Sequence, residues 1–197
     1  MNNWTPTVEV ESYHGMSQIH VLTKELMKRR VYIQGEINAE SANDFVTQMM
    51  YLQSESDDPI NVYINSPGGS VTDGLLMYDV IQASTAPVNT ICSGLAASMG
   101  AILLAGGKKG RRFILPHSKV MIHEPLISRG LGGSATSIKA ISDSILETRE
   151  ITNGILAKHT GKTLEEINEA TAFDNYMNAK QALEFGIVDK ITETMVV

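Results

Sequence analysis

The chain has 197 residues, enough for one well-buried core and short for two, and its formal net charge of −6 excludes a nucleic-acid grip built on bulk positive charge. Hydrophobic residues at 43% and charged residues at 19% exclude a disordered chain. One cysteine, Cys92, excludes an internal disulfide and suits a reducing cytosol, and no Cys/His spacing resembles a metal site. The opening MNNWTPTVEV has neither a positive leader nor an apolar core, so no secretory signal is expected, and the first twenty or so residues lack a period and read as an irregular arm.

RVYIQGEI then reads as a strand, and SANDFVTQMMYLQ as a helix with Phe45, Val46, Met49 and Leu52 at helical spacing. INVYIN is a second strand, closed by the turn residues SPGG. VTDGLLMYDVIQ is a helix and VNTIC a third strand. A buried helix from about Ser98 to Ala105 stops at Gly106-Gly107, and the small-and-apolar run around it, Leu95 to Gly107, is too short to span a bilayer. RRFIL and VMIHEP are two short strands separated by the turn Pro116-His117-Ser118. The basic runs Lys28-Arg29-Arg30 and Lys108 to Arg112 sit beside strands and read as solvated element ends.

After the Gly-rich ISRGLGGS, a long helix is marked by Ile138, Ile141, Ile145, Thr148, Thr152 and Ile155. Thr163 with Glu166, and Asn178 with Gln181, have capping-box spacing and each start a short helix. Gly186 stops the second, and IVDKIT returns as a strand. Strands alternating with helices imply an α/β layered fold with right-handed crossovers, and the absence of a linker or repeat implies a single domain over 1–197.

Four features of this chain could carry chemistry. Asn65-Ser66-Pro67-Gly68-Gly69-Ser70 joins a strand end to a helix start, where outward N–H groups can hold an oxyanion or simply make a turn. Ser98, in CSGLAASMG, falls at the first turn of the buried helix, either as a nucleophile at a strand–turn–helix elbow or as an N-cap. Ala96 stands where G-x-S-x-G would place its first glycine. His123 comes late in VMIHEP, as a base or as a satisfied strand residue; His14, His20, His117 and His159 have weaker settings. Asp174 lies between two short helices, as an orienting carboxylate or an Asx turn. Together they supply nucleophile, base, acid and oxyanion hole in the order Ser, His, Asp, which meet only if strand ends converge.

With those residues in place, the chain resembles the ClpP family, the proteolytic subunits of the ATP-dependent Clp proteases, from about Pro6 to Thr192. The strongest pieces are YINSPGGSVTDGL, GLAASMGAILLAGGKKGRRFILPHSKVMIHEP and FDNYMNAKQALEFGIVD. The resemblance implies a crotonase-like ββα core with Ser98 as nucleophile, His123 as base, Asp174 as triad acid, and the Gly69 and Met99 amides as oxyanion hole. It implies a cytoplasmic serine endopeptidase built as two stacked heptameric rings, with residues of about 1–19 at the axial pore and about 125–158 as the handle between rings. It implies that an AAA+ unfoldase such as ClpX or ClpC delivers unfolded chains and alone uses ATP. No Walker A pattern, cofactor, nucleic acid or membrane is expected of this chain itself.

Three departures bear on assembly. Ala172-Phe173 stand where many members carry Asp-Arg, ISRGLGG is longer than the usual connection, and Glu124 replaces a common glutamine. They lead to the expectation of a weakly active subunit that needs a paralogous ClpP ring. A crotonase acting on acyl-CoA thioesters and a catalytically silent ring subunit are the rival readings.

Overall fold

The computed structural model describes residues 6–12, 15–126 and 133–195. The N-terminal arm expected to be irregular instead contains two antiparallel strands, β1 (Thr7–Ser12) and β2 (Gly15–His20), paired from Thr7↔His20 to Ser12↔Gly15. Val8 and Val10 are half-buried between exposed Thr7, Glu9 and Glu11, an alternation of period two that is too short to register as a pattern. Helix α1 (Val21–Met27) comes next without a side-chain cap and without a buried residue, so neither signal that marks a helix was present to read.

Strand β3 (Arg30–Ile37) and helix α2 (Ala39–Glu55) fall where the pattern places them. Asn38 and Ser41 form a reciprocal capping box, and Ala42, Phe45, Met49 and Leu52 bury one face. Strand β4 (Ile60–Gly69) runs on through SPGG, which is therefore strand end and not turn, before α3 (Val71–Ala83) starts at Ser70. Strand β5 (Val88–Ala97) also exceeds the expected VNTIC and leads to α4 (Met99–Ala105), every residue of which is buried. Strands β6 (Arg112–Ile114) and β7 (Lys119–Ile122) precede α5 (Ala135–Thr160), α6 (Leu164–Thr171), β8 (Asn175–Asn178), α7 (Ala179–Phe185) and β9 (Lys190–Ile191). Both capping boxes, Thr163/Glu166 and Asn178/Gln181, are formed, and β8 is a strand where only a connection between helices was expected.

The α/β expectation holds. The main sheet runs β3-β4-β5-β6-β9, all parallel, with β7 parallel to β5 and β8 antiparallel to β7. One irregularity positions the site. The first half of β5 pairs with β6, from Thr90↔Arg112 to Cys92↔Ile114, and the second half pairs with β7, from Leu95↔Lys119 to Ala97↔Met121. Gly94 sits at the exchange, its N–H donating to Ser118 Oγ at 2.8 Å, while the Leu95 N–H donates to Asn65 Oδ1 at 3.1 Å. Side chains thus replace the ladder where β5 changes partner. Cys92 is buried against this crossing, and burial pushes its thiol up to about 12, which leaves it protonated and unreactive at neutral pH. Among the described residues no helix is long and apolar enough to cross a membrane.

The basic runs are solvated element ends only in part: Lys28, Lys108, Lys109 and Arg111 are exposed, but three arginines are built into the fold. The Arg29 guanidinium donates to the carbonyls of Leu52, Ser56 and Asp58, Arg30 pairs with Glu25 at 2.7 Å, and Arg112 is 1% exposed. On the far side of the core His159 shares a 2.8 Å hydrogen bond with Tyr78 Oη, and burial lowers its pKa to about 4. An unfolded histidine protonates near pH 6.5, so between there and about pH 4 the unfolded chain binds a proton that the folded chain refuses. Stability from this group is complete above pH 6.5 and falls with pH through that window, by on the order of 1–3 kcal/mol after solvent screening. Urea melts at pH 7 and pH 4.5 are expected to show a larger loss for the wild type than for His159→Phe; parallel losses would assign the acid sensitivity elsewhere.

Candidate active site

Ser98 is the single residue between β5 and α4, with φ 54° and ψ −121°. Left-handed φ is costly for a side chain with a Cβ, roughly 1–3 kcal/mol, and persists only where the surroundings impose it. Here its N–H donates to Met121 O at 2.9 Å and its carbonyl accepts from the N–H groups of Ala101 and Ile102, so strand pairing and helix start both hold the residue. It occupies the N-cap position, yet its hydroxyl makes no capping bond; Oγ lies instead 2.9 Å from His123 Nε2.

The meeting of three distant residues is a consequence of strand register. Ala97 is level with Met121 on the parallel β5–β7 pair, so Ser98, one residue past β5, comes level with Ile122, the last residue of β7, and His123 follows at the same strand end, within reach of the Ser98 hydroxyl. Ile122 is level with Asn175 on the antiparallel β7–β8 pair, so Asp174, one residue before β8, arrives at the same edge. Asp174 Oδ1 is 3.3 Å from His123 Nδ1. The contact is at ion-pair distance but off the line of a hydrogen bond, and the Nδ1 atom is buried without a hydrogen-bond partner among the described residues. The Asp174 side chain is 59% exposed against 14% for His123. The Ser98–His123 leg is formed, and the His123–Asp174 leg is only approached.

The glycine pair closes the site from β4. Gly68 has φ 93°, and a Cβ on it would stand 2.7 Å from Ser98 Cβ, 2.8 Å from Ala97 O and 3.1 Å from Met99 N. Gly69 is bedded on β3, where a Cβ would meet the Ile37 carbonyl oxygen at 2.1 Å. The Gly68 N–H is taken by Ser66 Oγ at 3.1 Å, and Ser66 Oγ in turn donates to Gly35 O at 2.6 Å. Met99 is the first helical residue after Ser98, so its N–H has no carbonyl one turn back to receive it. Gly68→Ala is therefore expected to push Ser98 or Met99 aside, and a displacement near 1 Å lowers turnover by about 10²-fold or more. Peptide hydrolysis by the folded variant checks this; activity within a few-fold of wild type would show that the contact yields.

Ser98 and His123 open onto a narrow, partly open cleft whose free space is about 20 Å³. Its walls are Val71, Met99, Ile102, Ile122, Pro125 and Leu156, with Thr152 and Asn153 of α5 at one side. Thr152 Oγ1 lies 3.1 Å from Thr148 O and 3.2 Å from Arg149 O, so its hydroxyl is turned into its own helix. The walls are mostly apolar and offer no lysine, arginine or carboxylate to fix a charged side chain. The helical stripe on α5 marked Thr152 as inward-facing, but nothing in the sequence pairs α5 with Ser98, and Val71, Asn153 and Leu156 gave no signal of their own.

The other described histidines stay away from this edge. His20 is the N-cap of α1, His117 lies exposed in a turn, His159 is bonded to Tyr78, and His14 lies outside the described residues. Of the three departures, Ala172 ends α6 and Phe173 is 85% exposed, Glu124 Oε2 lies 3.1 Å from Arg149 Nε, and most of ISRGLGG falls outside the described residues. Compared with known families, the chain matches the Clp protease family model over residues 13–195.

Proposed function

Given that the chain belongs to the Clp protease family and so is a Clp-type serine peptidase, we propose that Ser98, His123 and Asp174 carry its chemistry, with the Gly69 and Met99 amides as oxyanion hole. The observation that carries the assignment is the 2.9 Å Oγ–Nε2 contact made by a serine held at positive φ and relieved of capping. Ser98 Oγ attacks the peptide carbonyl while His123 Nε2 takes its proton. The oxyanion of the tetrahedral adduct is held by the amides at the glycine strand end and at the start of α4. Collapse breaks the C–N bond, His123 returns the proton to the leaving amine, and water, activated by the same imidazole, releases the acyl group. Asp174 orients the ring and stabilises the imidazolium.

The incomplete third leg supports the finer reading of a protomer at rest. The Asp174 carboxylate is mostly in solvent, and closing 3.3 Å to a hydrogen bond needs only a small movement of the segment before β8. In this proposal, packing into heptameric rings stacked in pairs, with a paralogous ClpP ring as one arrangement, supplies that movement. An AAA+ unfoldase such as ClpX or ClpC delivers unfolded polypeptide and spends the ATP, and the chain itself needs no cofactor and works in the cytoplasm. A fluorophosphonate probe on the assembled protein tests the assignment by covalent labelling at Ser98 that His123→Ala abolishes. Thioester turnover without labelling would instead place the chain among the crotonases, and a stable double ring fully active alone would remove the need for a paralogue.

A further inference from the structure

His123 is one residue beyond the end of β7, so the ladder that fixes Met121 and Ile122 does not fix it. Its position therefore depends on the two residues after it in the chain. The Glu124 N–H donates to Thr171 O at 2.8 Å, and Pro125 has no N–H to add a second backbone bond. The remaining tether is the Glu124 side chain, whose Oε2 lies 3.1 Å from Arg149 Nε on α5. That nitrogen is buried and has no hydrogen-bond partner among the described residues, so the carboxylate is near it but off line. The same is true of His123 Nδ1 and Asp174, and the two contacts flank one dipeptide, His123-Glu124. One turn further along α5, Thr152 and Asn153 line the cleft that holds Ser98.

Resting on the peptidase reading above, we propose that Arg149 is a positioning residue for His123, acting through Glu124. The ion pair ties the residue after the base to the long helix α5, and turning the shared dipeptide so that Arg149 Nε meets the carboxylate also turns Nδ1 of His123 toward Asp174. The competing reading is a solvated surface pair, with 33% and 40% of the two side chains exposed, of the kind that contributes almost nothing. The two differ in what mutation moves, because a surface pair changes neither turnover nor labelling, whereas a positioning pair changes turnover and leaves stability alone.

The test uses the full chain in whichever assembly hydrolyses a fluorogenic peptide fastest, with kcat, KM, the fluorophosphonate labelling rate of Ser98 and Tm measured together. Arg149→Met and Glu124→Ala are each expected to lower kcat and labelling by about tenfold with KM within about twofold. Their Tm should stay within about 2 °C of wild type. Glu124→Gln, which keeps an acceptor, should retain more than about half of the turnover, and the exchange Glu124→Arg with Arg149→Glu should recover most of the loss. Turnover within about twofold of wild type in both single variants overturns the proposal. So does a loss that Glu124→Gln shares in full, or one that tracks a falling Tm. If Arg149→Met does not fold, Glu124→Ala and Glu124→Gln decide the matter alone. A folded, assembled wild type that takes no label refutes the peptidase reading itself and this inference with it, a result distinct from wild-type labelling that the variants leave unchanged.

Discussion

Ser98→Ala is expected to abolish peptide hydrolysis, a fall of about 10⁶-fold, while leaving the secondary structure and the assembly intact. The size comes from the geometry: Oγ is the atom His123 Nε2 meets at 2.9 Å, and removing it leaves imidazole and oxyanion amides with nothing to activate. The fold does not depend on the hydroxyl, because the residue is held by its backbone, through the N–H to Met121 and the carbonyl to Ala101 and Ile102. The same backbone yields a companion result. At φ 54° a Cβ is strained whatever else the side chain carries, so Ser98→Gly should be more stable than Ser98→Ala by about 1 kcal/mol although both are inactive. Urea melts beside the hydrolysis assay separate the effects. Residual activity of Ser98→Ala above about one part in a thousand would mean another nucleophile, and equal stability of the two variants would mean that the backbone relaxes once Oγ is gone.

Strain at the nucleophile explains what the sequence could and could not disclose there. CSGLAASMG announces a tight passage through its small side chains, and the helix after it is legible because seven successive buried residues need an apolar run. What is invisible is the change of partner in β5. Ser93 and Gly94 look like the end of a strand, since a serine and a glycine at φ 128° seldom sit inside one, yet side chains of Ser118 and Asn65 supply the bonds that the ladder drops. With β5 ended early, Ser98 and His123 are merely 25 residues apart; with it continued, register brings them to the same strand end, where their side chains meet.

Asp174 shows the same limit. NYMN is too short for a period, and Asn178 is spoken for by the capping box of α7, so β8 left no trace of its own. The long, amphipathic pieces were readable because each carries its own pattern: α2 through Phe45, Met49 and Leu52, α5 through a stripe of which Thr152 is buried while Ile138 and Ile141 stay exposed, α6 and α7 through their boxes. Short strands satisfy nothing alone, and the site is made almost wholly of their ends.

Asp189→Ala is expected to destabilise the protein by about 3–5 kcal/mol and to leave the activity of each folded molecule unchanged. The Arg112 side chain is 1% exposed, and Asp189 receives it through two parallel bonds, Nε to Oδ2 at 2.8 Å and Nη2 to Oδ1 at 2.6 Å. The carboxylate also accepts the N–H groups of Gly110 and Arg112, while Nη1 of Arg112 reaches the His159 carbonyl at 3.0 Å. This cluster therefore joins the start of β6, the residue before β9 and the end of α5. Burial alone would push the Asp189 carboxyl up, but the Arg112 hydrogen bonds and charge outweigh it and hold it below the usual carboxylate range. A depressed carboxylate stabilises the fold above its unfolded pKa near 3.9 and loses that contribution as pH falls toward the folded value. Truncation strands a guanidinium in the interior with half its acceptors gone, which is the costly way to break such a pair. Replacing both members by apolar residues, Arg112→Met with Asp189→Leu, should recover part of the loss, since no charge is then left behind. Chemistry is spared by distance: Arg112 is level with Thr90 near the start of β5, and the eight residues from there to Ser98 span roughly 25 Å of strand. Urea melts at pH 7 measure the stability, and fluorophosphonate labelling per folded molecule measures the site. A loss under about 1 kcal/mol for Asp189→Ala would mean that water reaches Arg112 and replaces the carboxylate, and a labelling rate that falls with stability would mean that the two ends of β5 do not act independently.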